Sequence, residues 1–379
     1  MKHELRMLYS TQEQSNDGKR NTALDMARGF AIILIVIGHS SHVSGVPAVW
    51  LSTFHLPAFF LLSGWLSVGK PLQNEKAKSL LCRKAKTILV PYFWFSAGSL
   101  LLDLIQVWRC NFTWDTLLQH VVETVSLQGY SVMWFLPVFF LTQTMVDLLS
   151  QLLKKVSLKA IRLYGFSAIL FTVCAILLYG VYHGVIINIL SPFFQAEVRI
   201  VIKAVIGAAF FSYGSLLSLA VKKIAPKGKK AKAALAVAGI FCMAVNVVAA
   251  FWCTLMDLNY LNLGNLPVYL LLGTTGSFGL VLFFLNIPNL PLLTFFGQNS
   301  LIIMCTHLNF YVMYFAIRIT DAIAACFGNV SRPVWVVCML VLTMFLEIPV
   351  ILLVRICFPF VLGRARAQWR VSAKAIQKN

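Results

Sequence analysis

Apolar runs of about 20 residues, the length that a membrane-spanning helix needs, alternate with short polar segments along the chain. The stretch 116–130 is less apolar, and we assign it to an external loop that holds a short interfacial helix. The pattern predicts an all-α, polytopic membrane protein in which residues 23–358 form one domain of ten transmembrane helices. The predicted spans lie near residues 24–43, 48–69, 86–106, 132–152, 162–183, 199–221, 232–255, 266–286, 299–319 and 334–358.

Lysine and arginine are concentrated in alternate loops. With the N-terminus inside, the predicted inside segments hold 25 of the 32 basic residues, and the outside loops hold three. Basic loops tend to stay in the cytoplasm, so this asymmetry predicts that residues 1–22 and the basic tail 359–379 are both cytoplasmic. The first segment lacks the apolar core of a cleavable signal peptide, so we expect the first span to be retained.

The composition favours a multi-pass membrane protein, and we expect its location to be the plasma membrane. Of the 379 residues, 59% are hydrophobic and 12% are charged, whereas roughly 25% are charged in average soluble proteins. The net charge of +19 lies mainly in short loops between apolar runs, so we expect membrane lipid rather than nucleic acid as a partner. The nine cysteines are scattered without a C-x-x-C pair, which predicts small buried side chains and no metal site.

Three titratable residues, Asp25, Arg28 and His39, interrupt the first span, although charged side chains are costly in a bilayer. The spacing of eleven residues between Arg28 and His39 is close to three helical turns, so both lie on one face about 16 Å apart. Asp25 can pair with Arg28 or cap the helix start. In purely structural roles, Arg28 would reach to the membrane interface and His39 would bond a neighbouring helix; we favour a functional role for His39.

Four segments, in order, resemble a known family. "LDMARGFAIILIVIGHS" (24–40) matches the R-x10-H signature of the membrane acyltransferase-3 family, and "FHLPAFFLLSGWL" (54–66) resembles its second span. "MWFLPVFF" (133–140) and "FFGQNSLIIMCTHL" (295–308) are similar to its Trp-Phe-Leu and Gly-x-Asn-Ser-Leu elements. The resemblance is greatest to the group of fucose 4-O-acetylases and related acetyltransferases. It implies an enzyme that transfers an acetyl group to a sugar hydroxyl, on a surface glycan or a lipid-linked precursor.

The residues of the first span suit this chemistry. Acyl transfer from coenzyme A to a hydroxyl needs a base that works near neutral pH, and imidazole supplies one. We therefore expect His39 to be catalytic, either by deprotonating the acceptor or by carrying the acetyl group itself. Acetyl-CoA, the expected co-substrate, is made in the cytoplasm, where Arg28 with Asp25 would hold its phosphate or pantetheine end.

The ninth predicted span offers further donor-binding candidates. Gln298, Asn299 and Ser300 open this span at the inside face, where they would cap a helix N-terminus that attracts anions. The loop before them has no lysine or arginine, which suggests a buried re-entrant segment that lines the donor cavity. His307, two to three turns deeper, either lines the same cavity or packs against another helix.

Three residues are candidates for binding the sugar acceptor. His55 lies near the outer end of the second span and Trp65 lies in the same span, while Trp134 begins the fourth. His55 could instead pack at the interface. Trp134 could stack on a sugar, but composition favours a place in the aromatic belt at the membrane surface. Gly64 is expected to let two helices approach closely.

Four other charged residues lie in or near spans. Arg199 and Lys203 share a helix face at the outer end of the sixth span, where they meet an anionic acceptor or mark the interface. We expect structural ion pairs or polar networks for Asp103 and Glu347.

Two other functional classes fit a polytopic chain with buried charges. A transporter of a sugar or lipid-linked intermediate would often have paired halves and broken helices, and neither is evident in the sequence. A transporter would also consume no acetyl-CoA. A membrane sensor with a titrating histidine is the third class.

Overall fold

The structure, a computed structural model, describes residues 21–68, 77–154, 159–224, 228–328 and 330–363. The regular elements in these ranges are helical. The α-helices are α1 (Thr22–Gly38), α2 (Val46–Ser67), α3 (Ala77–Trp108), α4 (Trp114–Val125), α5 (Phe135–Lys154), α6 (Ala160–Val181), α7 (Pro192–Ile224), α8 (Lys229–Ala250), α9 (Leu266–Leu285), α10 (Pro291–Gln298), α11 (Ser300–Thr306), α12 (Val312–Phe327) and α13 (Arg332–Cys357). Residues 1–20 and 364–379 lie outside the described ranges, so the cytoplasmic placement of the two ends stays a prediction.

Eight helices of the described chain are long and apolar enough to cross a membrane. They are α2, α3, α5, α6, α7, α8, α9 and α13, with α5 preceded by a 3-10 turn and α6 continued through a π-helical turn. This finding confirms an all-α polytopic membrane protein. The short helix expected within 116–130 is α4. The other two predicted spans, 24–43 and 299–319, are not long continuous helices in the structure.

The first predicted span is shorter than its apolar run. α1 has 17 residues, and the chain leaves the helix at His39 rather than near residue 43. Asn21 caps the helix start, since its side chain accepts hydrogen bonds from the N–H groups of Ala23 and Leu24. We call the end of the bundle where α1 begins the Arg28 end, and the opposite end the His39 end.

The ninth predicted span is not one helix. The chain forms α10, α11 and α12 in this region, with breaks at Asn299 and at 307–311. At the first break, the side chain of Asn299 donates to the carbonyl of Phe295 at 2.7 Å, and at the second Tyr311 has a left-handed backbone with φ of 60°. The prediction of a continuous helix was wrong because these local turns interrupt a uniformly apolar run. A broken helix, which the sequence did not show, is therefore present, and such breaks occur where the backbone is buried in protein or lines a cavity.

α1 lies inside the bundle, in contact with α2, α9, α10, α11 and α13. α10 crosses it at two glycines with no room for a side chain. A Cβ on Gly29 would lie 2.0 Å from the carbonyl oxygen of Leu293, and a Cβ on Gly297 would lie 1.7 Å from that of Asp25. The segment that follows Gly297 is thereby held beside the Asp25–Arg28 turn of α1.

Glycines also bring α2 and α7 together. A Cβ on Gly64 would lie 1.8 Å from the carbonyl oxygen of Phe211, and a Cβ on Gly214 would lie 2.0 Å from that of Leu61. Ser215 adds a hydrogen bond of 2.9 Å to the carbonyl of Gly64. The packing role predicted for Gly64 is confirmed.

The two buried carboxylates predicted to join polar networks do so. The Nδ1 atom of His120 lies 3.0 Å from Oδ2 of Asp103, and the ring of His120 stacks on Tyr130. The Oγ1 atom of Thr306 lies 2.8 and 3.0 Å from the two carboxyl oxygens of Glu347, whose side chain is fully buried. These contacts link α3 to α4 and α11 to α13.

We expect Thr306→Val to destabilise the protein by about 1–3 kcal/mol, because a buried carboxyl group loses a hydrogen-bonding partner. The measurement is thermal unfolding of the purified protein in detergent. Thr320→Val is the matched control, since Thr320 is similarly buried and, among the described residues, its hydroxyl bonds only the carbonyl of Ala316. An equal loss of stability in both variants would contradict this account.

Candidate active site

Asp25 and Arg28 form the charged turn near the beginning of α1. Their side chains are 3.9 Å apart, with Asp25 nearly buried and Arg28 about a quarter exposed. The predicted pairing is thus present, while the cap at the helix start comes from Asn21 and not from Asp25. A guanidinium that is partly accessible beside a buried carboxylate can still donate hydrogen bonds to an anionic ligand.

His39 occupies the other end of α1. It keeps a right-handed helical backbone, so its spacing of eleven residues from Arg28 still amounts to about three turns. Its side chain is solvent-accessible although protein atoms surround it on most sides. A side chain with both properties lies in a recess of the protein, where a solute can reach it.

His307 meets His39 in this recess. The two imidazole rings have their centroids 5.3 Å apart, which joins α1 to the end of α11. His307 is fully buried, and its Nδ1 lies 2.7 Å from the carbonyl of Ile303. Because a carbonyl only accepts, Nδ1 carries the proton and Nε2 carries a lone pair. Nε2 has no hydrogen-bond partner among the described residues.

His55 is arranged in the same way on α2. Its Nδ1 donates to the carbonyl of Leu51, which again leaves Nε2 as the basic nitrogen. His307 therefore lies against His39, and His55 lies within electrostatic range of His39. In their neutral forms, His307 and His55 both carry the proton on Nδ1.

Two residues of this region are not among the candidates predicted from the sequence. Asn309, two residues after His307, is nearly buried, and its amide interacts with the hydroxyl of Tyr130. Asp257, in the loop between α8 and α9, interacts electrostatically with His39. The signal for Asn309 was its position directly after the segment 295–308 that contains His307, whereas nothing in the sequence of the loop connects Asp257 with α1.

Buried polar atoms without a partner usually bond water or a ligand. Among the described residues near the breaks between α10 and α12, two have such atoms: Oδ1 of Asn299 and Nε2 of His307. The amide of Asn309 could donate to the oxygen of a tetrahedral intermediate, and the histidine nitrogens could accept a proton. These polar atoms suit a hydroxyl and a thioester as substrates.

The other donor-binding candidates lie close to Asp25 and Arg28. Gly297 touches the backbone of Asp25, and Gln298 ends α10 directly after it. The predicted capping by side chains is wrong for α11, because the amide of Asn299 bonds backward to Phe295 and no side chain caps the helix. Ser300 is the half-buried first residue of α11.

The acceptor candidates do not form one cluster. Trp65 is ten residues beyond His55 on α2, or about 15 Å away along the axis, and its ring packs near Phe278. Trp134 is only 7% exposed, whereas Trp108 is 78% exposed, so Trp134 is not a lipid-facing belt residue. Instead, its ring lies 4.3 Å from the ammonium group of Lys203.

The fold defines a multi-pass membrane protein with a titratable polar site inside its helical bundle. A family model described as "Acyltransferase domain", of the acyltransferase-3 family, matches residues 21–352. This chain of 379 residues therefore belongs to the acyltransferase-3 family and is a membrane acyltransferase, as the four sequence motifs indicate.

The chain is also similar to Nodulation protein NolL of Mesorhizobium japonicum. The two are 27% identical over 141 residues, which cover 35% of this chain and 36% of that protein. The alignment thus spans about a third of the relative's length. No solved structure matches the chain.

Proposed function

We propose that this acyltransferase moves an acetyl group from cytoplasmic acetyl-CoA to a hydroxyl of a glycan or a lipid-linked sugar, as a multi-pass protein of the plasma membrane. The observation that carries the proposal is the contact of His39 with His307 at one end of α1, combined with the Asp25–Arg28 pair at its other end. The spacing of about 16 Å suits the long pantetheine arm, with its phosphates at Arg28 and its thioester at His39.

Residues on two helices would hold the donor. Arg28 binds a phosphate of coenzyme A by charge-assisted hydrogen bonds, and Asp25 orients the guanidinium. Gln298, Asn299 and Ser300 lie beside this turn because Gly297 contacts Asp25. Their amide and hydroxyl groups add neutral hydrogen bonds to the arm.

In direct transfer, an imidazole nitrogen of His39 takes the proton of the acceptor hydroxyl. The hydroxyl oxygen then bonds to the thioester carbon, the C–S bond breaks, and the proton passes from His39 to the leaving thiolate. The amide of Asn309 would stabilise the oxyanion that forms on the carbonyl oxygen.

In two-step transfer, His39 attacks the thioester itself and becomes acetylated, while its proton leaves with the thiol of coenzyme A. The acceptor oxygen next attacks the acetyl carbon and gives its proton to Nε2 of His307. That proton returns to His39 as the acetyl–nitrogen bond breaks. If mass spectrometry detects acetylated His39 in protein incubated with acetyl-CoA but no acceptor, the enzyme uses the two-step route.

Release of free thiol from acetyl-CoA tests the proposal. The purified protein in lipid nanodiscs is mixed with acetyl-CoA, with and without a lipid and glycan extract from its native membrane. We expect thiol release that depends on the extract, acetyl ester on a sugar by mass spectrometry, and a higher KM for acetyl-CoA in Arg28→Gln. Absence of thiol release with every extract is the result expected of a transporter, and it would contradict the proposal.

A further inference from the structure

A polar cavity of about 120 Å³ opens at the His39 end of the bundle, with room for several water molecules. The end of α4, the start of α7 and the loop between α8 and α9 form its walls. Its polar lining includes the side chains of Glu123, Gln128, Tyr130, Arg199, Lys203 and Asn259.

Two cations lie on one wall of this cavity. Arg199 and Lys203 are four residues apart on α7 and so share a helix face. Lys203 is only 3% exposed; its Nζ donates to Oδ1 of Asn259 at 3.0 Å and lies over the ring of Trp134. Arg199 donates to the hydroxyl of Tyr182 at 3.3 Å. Neither cation forms a salt bridge with another residue of the described ranges.

The nearby carboxylates are bonded to neutral donors. Glu123 accepts from the side chain of Gln119, and Glu197 accepts from that of Gln128. Asp257 accepts from two backbone N–H groups of its own loop, although it is within electrostatic range of Lys203. Among the charged side chains that line the cavity itself, two are cations and one, Glu123, is a carboxylate, while Glu197 and Asp257 lie just outside its lining.

A buried ammonium group that bonds only neutral acceptors is costly to keep at membrane depth, and such groups commonly mark a binding site. An oxyanion in the cavity would pair with both cations at once. A phosphate or carboxylate group has oxygens for the guanidinium and for the ammonium, and the cavity offers space for a group of that size.

The cavity adjoins the histidine recess. Tyr130 lines the cavity, and its hydroxyl donates to Ser99, whose own hydroxyl donates to the backbone carbonyl of Asn309 at 3.1 Å. On the other side, Asp257 interacts electrostatically with both Lys203 and His39. A molecule with an anionic group at Lys203 can thus extend a hydroxyl toward His39.

We propose that Arg199 and Lys203 bind a phosphate or carboxylate of the acceptor, so that the acceptor is an anionic sugar or a sugar joined to a lipid through phosphate. This inference rests on the proposed function only in identifying the bound molecule as the acetyl acceptor. The pocket itself binds an oxyanion whether or not acetyl transfer occurs.

Binding of small anions, measured without acetyl-CoA, tests the pocket separately from the chemistry. Glucose 1-phosphate and inorganic phosphate probe the phosphate arm, glucuronate probes the carboxylate arm, and methyl glucoside is the neutral control. Each is titrated into the His39→Ala protein in nanodiscs at low salt. We expect at least one anionic sugar to bind, more weakly as salt rises, and methyl glucoside not to bind.

Lys203→Gln is expected to weaken anion binding by about tenfold or more, because a charge-assisted hydrogen bond is lost. Arg199→Gln, half-buried at the cavity wall, is a second variant in case Lys203→Gln does not fold. Lys159→Gln is the matched control, since it makes the same charge change at an exposed site just before α6. We expect Lys159→Gln to bind like the parent protein.

Three results would overturn the proposal: no binding of any anion, equal binding of methyl glucoside, or unchanged anion affinity in a folded Lys203→Gln or Arg199→Gln protein. The two hypotheses fail separately. Anion binding that depends on Lys203 without thiol release would retain the pocket and reject the acetyltransferase. Acetyl transfer to a neutral sugar without anion binding would retain the acetyltransferase and reject the anion pocket.

Discussion

The His39→Ala protein is expected to release thiol from acetyl-CoA about 100-fold more slowly than the wild type, or slower still. An imidazole that accepts the proton of the reacting hydroxyl contributes roughly 10²–10⁴ to a rate, and no other residue on α1 can replace it. In the two-step route the loss is as large, because the group that carries the acetyl is gone. The rate is measured in nanodiscs with saturating acetyl-CoA and the native membrane extract.

His42→Ala is the matched control for this variant. His42 lies three residues further along the chain, is exposed, and stacks on Trp335 rather than on His307. We expect it to keep nearly the wild-type rate, and His307→Gln to fall between the two. Full activity in a correctly folded His39→Ala protein would remove His39 from the mechanism.

The Gly29→Ala protein is expected to lose both stability and thiol release. The new methyl carbon would lie 2.0 Å from the carbonyl oxygen of Leu293 and 3.0 Å from the backbone nitrogen of Gly297, so α10 must move away from α1. Overpacking of this kind costs about 1–3 kcal/mol, and here it meets backbone, which has little freedom to yield. The movement would also displace Gln298 from the turn that holds Arg28.

Gly165→Ala separates this effect from the general consequences of replacing a helical glycine. Gly165 lies in α6, and a Cβ there would meet nothing within 4 Å. We expect its thermal unfolding in detergent and its thiol release to match the wild type. If Gly29→Ala unfolds at the same temperature as Gly165→Ala, then α10 does not depend on the close backbone contact.

The fold class could be predicted from the sequence because the length of an apolar run reports directly on membrane crossing. Runs such as that of α9 continue without a break, and the helix in the structure, Leu266–Leu285, matches the predicted span 266–286. The four ordered motifs likewise indicated the family, because each is a local pattern; in the first of them, Arg28 and His39 belong to one helix.

Features that depend on another part of the chain could not be predicted. The break at Asn299 was also missed, although it is local: its amide bonds the carbonyl of Phe295 four residues earlier, and the uniformly apolar composition of the run 299–319 does not show it. Trp134 looked like an interface residue until Lys203 from α7 was found over its ring. Asn309 and Asp257 join the site only through contacts with other helices, and a single sequence does not reveal such contacts.

The different lengths of the helices decide how a polar substrate reaches the site. α1 has 17 residues and extends about 26 Å, slightly less than the 30 Å of a typical hydrocarbon layer, whereas α3 has 32 residues and α7 has 33. α1 lies inside the bundle and is short among longer helices, and its end leaves the exposed His39 short of a full membrane crossing. A polar substrate can therefore reach this imidazole without passing through a whole apolar layer.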